Sequence, residues 1–334
     1  MRKLPLILAI IGLAALGCDS SSGGEGGAGG MGGTGGAGGA GGAGGVGGTG
    51  GAGGAGGSAL ACDTPQKMIR CDKVLNIAHR GGKGIRPEHT IVAYDRALVD
   101  GADVLELDVH ETSDGVLVIM HDDTVDRTTD CTGLIKEMTF AELSACDAGY
   151  EFTTDGGQTY PYRGMGLTVP KLEDVFDRYP DAPFVIEIKQ ETPPIVDHFV
   201  EVVRQYGVED KMVGAAFDDN VLLQLRAAAP EIATSLGESE TTIFYLRSFD
   251  VLDPSYEPAG EFLQVPTTYN LEGVIVDVLH PGFVPRAHEM GMFVHVWTIN
   301  DEQEMRDLIE NYDVDGIMTD DPPLLTSVIE DLGR

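Results

Sequence analysis

Basic residues are scarce in this 334-residue chain: 22 Lys and Arg stand against 54 Asp and Glu, a formal net charge of −32 at pH 7. A surface of that sign repels phosphate backbones, which excludes nucleic acid as a partner and favours divalent cations or cationic head groups. A long apolar run is also missing. The longest, Leu4 to Gly17, has 14 residues, short of the ~20 that span a bilayer as a helix. Cysteine is limited to five positions, and no pair has the two-to-four-residue ligand spacing typical of zinc sites. Glycine is plentiful between Gly23 and Gly57 but lacks a strict three-residue period, so a collagen-like helix is excluded.

What is present at the start is an address. Met1-Arg2-Lys3 is a short basic region, and the apolar run after it reads as a secretory signal over residues 1–17. Ala15-Leu16-Gly17-Cys18 resembles the bacterial lipoprotein lipobox, with Ala15 where Leu is usual. The resemblance implies a mature chain that begins at a lipidated Cys18, held to a membrane in the cell envelope outside the cytoplasm. Residues 18–70 form a tether whose Gly-rich part cannot bury enough apolar surface to offset its ordering entropy. As a flexible coil that part reaches roughly 30–35 Å. Cys62, Cys71, Cys131 and Cys146 remain for two disulfides in a secreted chain. Three pairings are possible; nearness favours Cys62 with Cys71 and Cys131 with Cys146.

Residues 71–334 suit one α/β barrel. Short β-type runs at 74–79, 104–110, 116–121, 184–189, 212–217, 232–236, 293–299 and 316–319 alternate with amphipathic helical patterns at 90–100, 194–206, 220–229, 281–290, 301–311 and 322–332. Eight such units predict a (β/α)8 TIM-type barrel. One junction does not obey, because only a turn of five residues around Ser113-Asp114-Gly115 separates the second and third runs, too short for a crossover helix. A two-residue turn at Asp114-Gly115 would set Asp108 opposite His121. The barrel is therefore expected to be irregular between strands 2 and 3, with an inserted lobe over about 122–170 that holds one helix, 139–146. Residues 262–278 contain strand-like runs beyond the eight.

Chemistry concentrates at strand ends. In Val104-Leu105-Glu106-Leu107-Asp108-Val109 the alternation of a strand puts Glu106 and Asp108 on one face, roughly 7 Å apart. Two carboxylates on an otherwise apolar strand are costly unless a cation lies between them, although a wet acidic face is the plainer alternative. Glu187 shares a face with Lys189 on a later strand, where a structural ion pair is the competing reading. With His79-Arg80-Gly81 and His121-Asp122 at the ends of two further strands, all would meet at the C-terminal mouth of a barrel. Three carboxylates suit one hard cation, Ca²⁺ or Mg²⁺. Arg80 and Lys189 suit a phosphate, and two imidazoles suit acid–base work.

The same residues carry a family resemblance. His79-Arg80-Gly81, Pro87-Glu88-His89-Thr90, Glu106-Leu107-Asp108-Val109, Thr112-Ser113-Asp114-Gly115, His121-Asp122, Val169-Pro170-Lys171-Leu172, Glu187-Ile188-Lys189, Trp297-Thr298-Ile299-Asn300 and Gly316-Ile317-Met318-Thr319-Asp320-Asp321-Pro322 together resemble the glycerophosphodiester phosphodiesterase family. The resemblance covers essentially the whole domain. It implies metal-dependent hydrolysis of a small-molecule phosphodiester to an alcohol and sn-glycerol 3-phosphate, by way of Glu106, Asp108 and Glu187 on the metal and His79 and His121 as the acid–base pair. Arg80 and Lys189 would meet the phosphate and Trp297 would form an apolar wall. A lysophospholipase D or sphingomyelinase D-like enzyme is one alternative, and a non-catalytic tethered phosphate- or cation-binding protein another. His89 stands where the family usually has Asn, and Ala216-Phe217 where a Ser-Phe pair is common.

Overall fold

The computed structural model describes residues 64, 69–71, 73–249 and 255–334. The expected signal segment, Cys18, most of the tether and Cys62 lie outside them. The strands are β1 (Leu75–Ala78), β2 (Val104–Glu111), β3 (Leu117–Ile119), β4 (Phe184–Ile188), β5 (Met212–Ala215), β6 (Ala233–Thr234), β7 (Phe262–Val265), β8 (Thr268–Leu271), β9 (Val274–Asp277), β10 (Phe293–Val296) and β11 (Gly316–Thr319). Eight of them are parallel neighbours in the order β6-β5-β4-β2-β1-β11-β10-β7. A parallel bridge between Ser235 and Phe262 joins the two ends, with the Leu236 amide donating to the Phe262 carbonyl at 2.8 Å. The barrel expected from the strand–helix alternation is thus the fold.

Its staves are not quite the expected ones. The run at 116–121 forms β3, which pairs antiparallel with β2 and stands outside the ring. The eighth stave is instead β7, from the 262–278 stretch set aside in the sequence; it pairs parallel with β10, and β8 and β9 form a separate hairpin after it. A three-residue connection can only turn a strand back on itself, so a run placed that close behind β2 could not be its parallel neighbour. The β2–β3 register also differs from the expected one. Val109 pairs with Ile119 and Glu111 with Leu117, and the Met120 amide donates to the Asp108 carbonyl at 3.0 Å. Asp108 therefore lies opposite Met120, and His121 falls one residue beyond. The cause is a three-residue loop, closed by the Thr112 amide on the Val116 carbonyl at 3.0 Å, with Gly115 at φ 74° in the left-handed position that such loops use.

The helices are α1 (Ile91–Val99), α2 (Phe140–Leu143), α3 (Leu172–Arg178), α4 (Val196–Tyr206), α5 (Asp219–Ala228), α6 (Glu238–Arg247), α7 (Phe283–Glu289), α8 (Glu302–Asp307) and α9 (Pro322–Leu332). Thr90, Asp218, Asp301 and Asp321 accept first-turn amides with their side chains, which ties several helix starts to the strand ends before them. α6 has no counterpart in the sequence reading, because its apolar stripe is thin and buries only Phe244 and Leu246. The expected lobe helix is shorter, ending at Leu143.

Alternation divides the core into two layers. Leu105, Leu107 and Val109 point outward onto Phe176 and Phe199 of the helical shell. Val104, Ile77, Val185, Val213 and Met318 fill the barrel interior. Each fully buried Leu or Phe contributes roughly 1.5–3 kcal/mol. The even positions of β2 that follow Val104 inward are Glu106, Asp108 and His110, and they are buried as well. A lobe between β3 and α3 occupies the β2-to-β4 crossover. It has its own small core of Met120, Val125, Ile135 and Leu143 and the Cys131–Cys146 disulfide, which closes 15 residues.

Candidate active site

Strand register brings the carboxylates together. Asp108 of β2 is the partner of Glu187 on β4, and Glu106 lies two residues earlier on the same face. Neighbouring strands are about 4.8 Å apart, so three carboxylates share one patch of the barrel mouth. Lys189 follows β4 and places Nζ 2.8 Å from Glu187 Oε2 and 3.3 Å from Asp108 Oδ1. Arg80, in the turn after β1, has φ 53°. That geometry aims its amide at Glu106 Oε2 at 2.6 Å and brings its Nε to 3.5 Å from Asp108 Oδ2.

Each expected acid–base histidine is backed by a carboxylate. His79 Nδ1 is 2.6 Å from Asp320 Oδ1, and His121 Nδ1 is 2.7 Å from Asp122 Oδ1. Because a carboxylate only accepts, Nδ1 carries the proton in both rings and Nε2 is left for proton transfer. Burial lowers the His79 pKa despite the Asp320 hydrogen bond. Burial, with Lys189 and Arg80 nearby, also lowers His121 to about 4, against the opposing pull of Asp108. Both rings are neutral near pH 7, the form that takes up a proton. Trp297, just past β10, packs edge-on against Phe217, with ring centroids 5.9 Å apart.

Sequence reasoning named the histidines but not their supports. Asp320 directly follows β11, the same strand-end position that singled out the others, and Asn300 donates to its second oxygen at 2.9 Å. Glu88 joins Arg80 at 3.0 Å to Arg127 at 2.7 Å, and Arg127 reaches Asp122 at 2.6 Å. Burial would raise the Glu88 carboxyl, but the Arg127 hydrogen bond and the charges of Arg80 and Arg127 together outweigh it and hold the group at about 2. His89 sits at φ 55°, in the left-handed region that Asn tolerates well. Its Nε2 is 2.8 Å from Asp108 Oδ2, and its Nδ1 is 2.7 Å from the Tyr94 hydroxyl. The imidazole donates to Asp108 and accepts from Tyr94, so the residue that departs from the family pattern holds one Asp108 oxygen in place.

The charge balance here suits a cation. Burial and then the Asp108 charge push Glu106 well above the ordinary carboxylate range and Glu187 up to about 7. Burial works in the same direction on Asp108, but the His89 hydrogen bond and the Lys189 charge overcome it and keep that carboxylate ionised. Asp108 Oδ1 is buried and accepts no hydrogen bond. Among the described residues no three His, Cys, Asp or Glu side chains converge as a finished metal cage. The reason lies in the neighbours: the Lys189 ammonium stands between Asp108 and Glu187, and Glu106 turns to the Arg80 amide. The oxygen-only donor set, with an Asp108 oxygen that accepts no hydrogen bond, nonetheless fits a hard divalent ion.

Residues 79–324 match the model of the glycerophosphoryl diester phosphodiesterase family. A glycerophosphodiester phosphodiesterase of Caldanaerobacter subterraneus subsp. tengcongensis is 31% identical over 262 residues, covering 77% of this chain and 98% of the relative. A phosphodiesterase of Oleispira antarctica, solved in complex with the product sn-glycerol-3-phosphate, is 28% identical, with a TM-score of 0.57 over 77% of this chain and 96% of that one. A lysophospholipase D of Rattus norvegicus is 23% identical over 280 residues, covering 77% of this chain and 86% of the relative. The match runs from the first histidine to the last helix of a barrel whose strand ends carry the family's motifs, and the chain therefore belongs to the glycerophosphoryl diester phosphodiesterase family, a family of phosphoric diester hydrolases.

Proposed function

We propose that this protein hydrolyses glycerophosphodiesters to an alcohol and sn-glycerol 3-phosphate, with one divalent cation, Ca²⁺ or Mg²⁺, held by Glu106, Asp108 and Glu187. The observation that carries the reading is the pair of carboxylate-backed histidines, His79–Asp320 and His121–Asp122, beside two buried carboxylates, Glu106 and Asp108, and the half-buried Glu187. A bound cation supplies Lewis-acid polarisation of the phosphate and relieves the repulsion among its ligands. Arg80 and Lys189 bind the phosphate oxygens through charge-assisted hydrogen bonds. One neutral histidine takes the proton of the attacking hydroxyl, which is water or the substrate's own glycerol 2-hydroxyl by way of a cyclic phosphate. The other, once its Nε2 has taken up a proton from solvent, delivers that proton to the departing alkoxide. Asp320 and Asp122 orient the rings and stabilise each imidazolium as it forms, while Trp297 gives the glycerol or alcohol part an apolar wall.

The test follows glycerol 3-phosphate release from glycerophosphocholine by chelated protein, before and after Ca²⁺ or Mg²⁺ is returned. Release should require the metal and fall by about 10²-fold or more in His121→Ala. Release indifferent to both would overturn the reading, and no release from either protein would leave the non-catalytic binding role. A lysophospholipase D or sphingomyelinase D-like activity is the second reading, favoured by the rat relative and by the exposed Phe217 beside Trp297; choline release from lysophosphatidylcholine, measured beside that from glycerophosphocholine, separates the two. We further place the protein in the cell envelope through a lipidated Cys18. Uptake of a tagged fatty acid should vanish in Cys18→Ala, and label retained by that variant would remove the anchor.

A further inference from the structure

Lys189 stands at the meeting point of two unlike flanks. On one side the Phe217 ring lies 5.6 Å from its Nζ, continued by Trp297. On the other a cavity of about 210 Å³ opens between the tops of β2 and β4 and the lobe. Its lining is polar throughout. His110 closes the floor at the end of β2, with its Nε2 donating to the His121 carbonyl at 3.3 Å. Lys136 reaches from the lobe to the Thr192 carbonyl at 3.3 Å and forms the roof. Asp123 and Glu191 are both among its lining residues. Asp123 Oδ1 is 3.9 Å from His110 Nδ1, too long for a hydrogen bond, so that carboxylate keeps its acceptor capacity.

A phosphodiester bound at Arg80 and Lys189 must send its two ester groups in different directions. The aromatic wall offers one direction and this cavity the other. We propose that the cavity is the subsite of the departing head group and takes small head groups with hydroxyl or primary ammonium donors. This rests on the phosphodiesterase reading above. Two carboxylates offer acceptors to such donors, and a volume several times the ~30 Å³ share of a water molecule admits a group of a few heavy atoms. No Phe, Tyr or Trp ring lines the cavity, so it lacks the cation–π surface on which a quaternary ammonium is recognised. The lobe inserted in the β2-to-β4 crossover thus supplies one wall of the substrate site, with Lys136 and Asp123 as selectors.

The experiment compares kcat/KM for glycerophosphoethanolamine, glycerophosphoglycerol and glycerophosphocholine in the native enzyme, Glu191→Gln and Lys136→Met, with glycerol 3-phosphate as the common readout. Both substituted residues are exposed, so the fold is not at stake. The native enzyme should prefer the first two substrates. Glu191→Gln should cut the ethanolamine substrate by about tenfold, the scale of one charged hydrogen bond, and leave the choline substrate within about twofold. Lys136→Met should alter the ranking of head groups. Equal losses on all three substrates would assign the cavity to the shared glycerol end and overturn the proposal, as would a flat ranking untouched by either variant. Absence of glycerol 3-phosphate from all three would instead overturn the phosphodiesterase reading on which the proposal rests.

Discussion

Asp320 does for His79 what Asp122 does for His121: it holds the Nδ1 proton and fixes the ring. Replacing Asp320 with Asn keeps the shape but lets the amide donate to Nδ1, so the wrong nitrogen carries the proton. Asp320→Asn should lower kcat by about 10²-fold or more with little change in KM and an unaltered circular dichroism spectrum. The carboxylate patch makes a second prediction. With Glu187 pushed up to about 7 by burial and by Asp108, a cation must displace a proton to bind below that pH. Affinity for Ca²⁺ or Mg²⁺ should therefore weaken as pH falls through about 7, with proton release visible by calorimetry in buffers of different ionisation enthalpy. Glu187→Gln should reduce that release to the share of Glu106, whose carboxyl burial and Asp108 also push up. Unchanged release in the variant would take Glu187 out of the ligand set.

At the level of elements, the β2–β3 hairpin decides how the lobe sits beside the site. Its loop depends on Gly115 at φ 74°, where an added Cβ would meet nothing within 4 Å. The cost of Gly115→Ala is then purely one of backbone conformation, about 1–2 kcal/mol, and should appear as a lower denaturation midpoint. A neutral outcome would mean that the loop relaxes to another turn. The strand pattern was legible here, because period-two alternation is local: Glu106 and Asp108 face inward as their spacing requires. Register was not legible to the residue. A turn of two or three residues changes it by one, and that single step moved Asp108 from His121 to Met120. Membership of the ring was also out of reach for β7, whose brief run, Phe262–Val265, gains its place only from pairing with β10.

Across the molecule, the barrel interior holds a group that responds to acid. His295 is fully buried, with neither ring nitrogen hydrogen-bonded, and burial lowers its pKa to about 4. An unfolded histidine binds its proton near pH 6.5. Between about 6.5 and 4 the unfolded chain holds more protons than the folded one, so stability is complete above pH 6.5 and declines as pH drops toward 4. The share lost to His295 is about 3 kcal/mol. His295→Leu should flatten this part of the profile in denaturant titrations across that range. An identical slope in the variant would assign the acid sensitivity to the histidines at the mouth.

The sequence by itself determined the fold class, the inward face of β2 and the residue types gathered at the strand ends. These depend on periodicity and on short motifs, which are properties of neighbours in the chain. Only the tertiary structure decided which strands close the ring, that His89 and Tyr94 hold Asp108, that Asp320 from the last strand supports His79 of the first, and that the lobe walls a cavity beside Lys189. Each of these joins residues far apart in sequence, and a choice among such pairings is made by closure of the barrel and packing of its core, which no local pattern encodes.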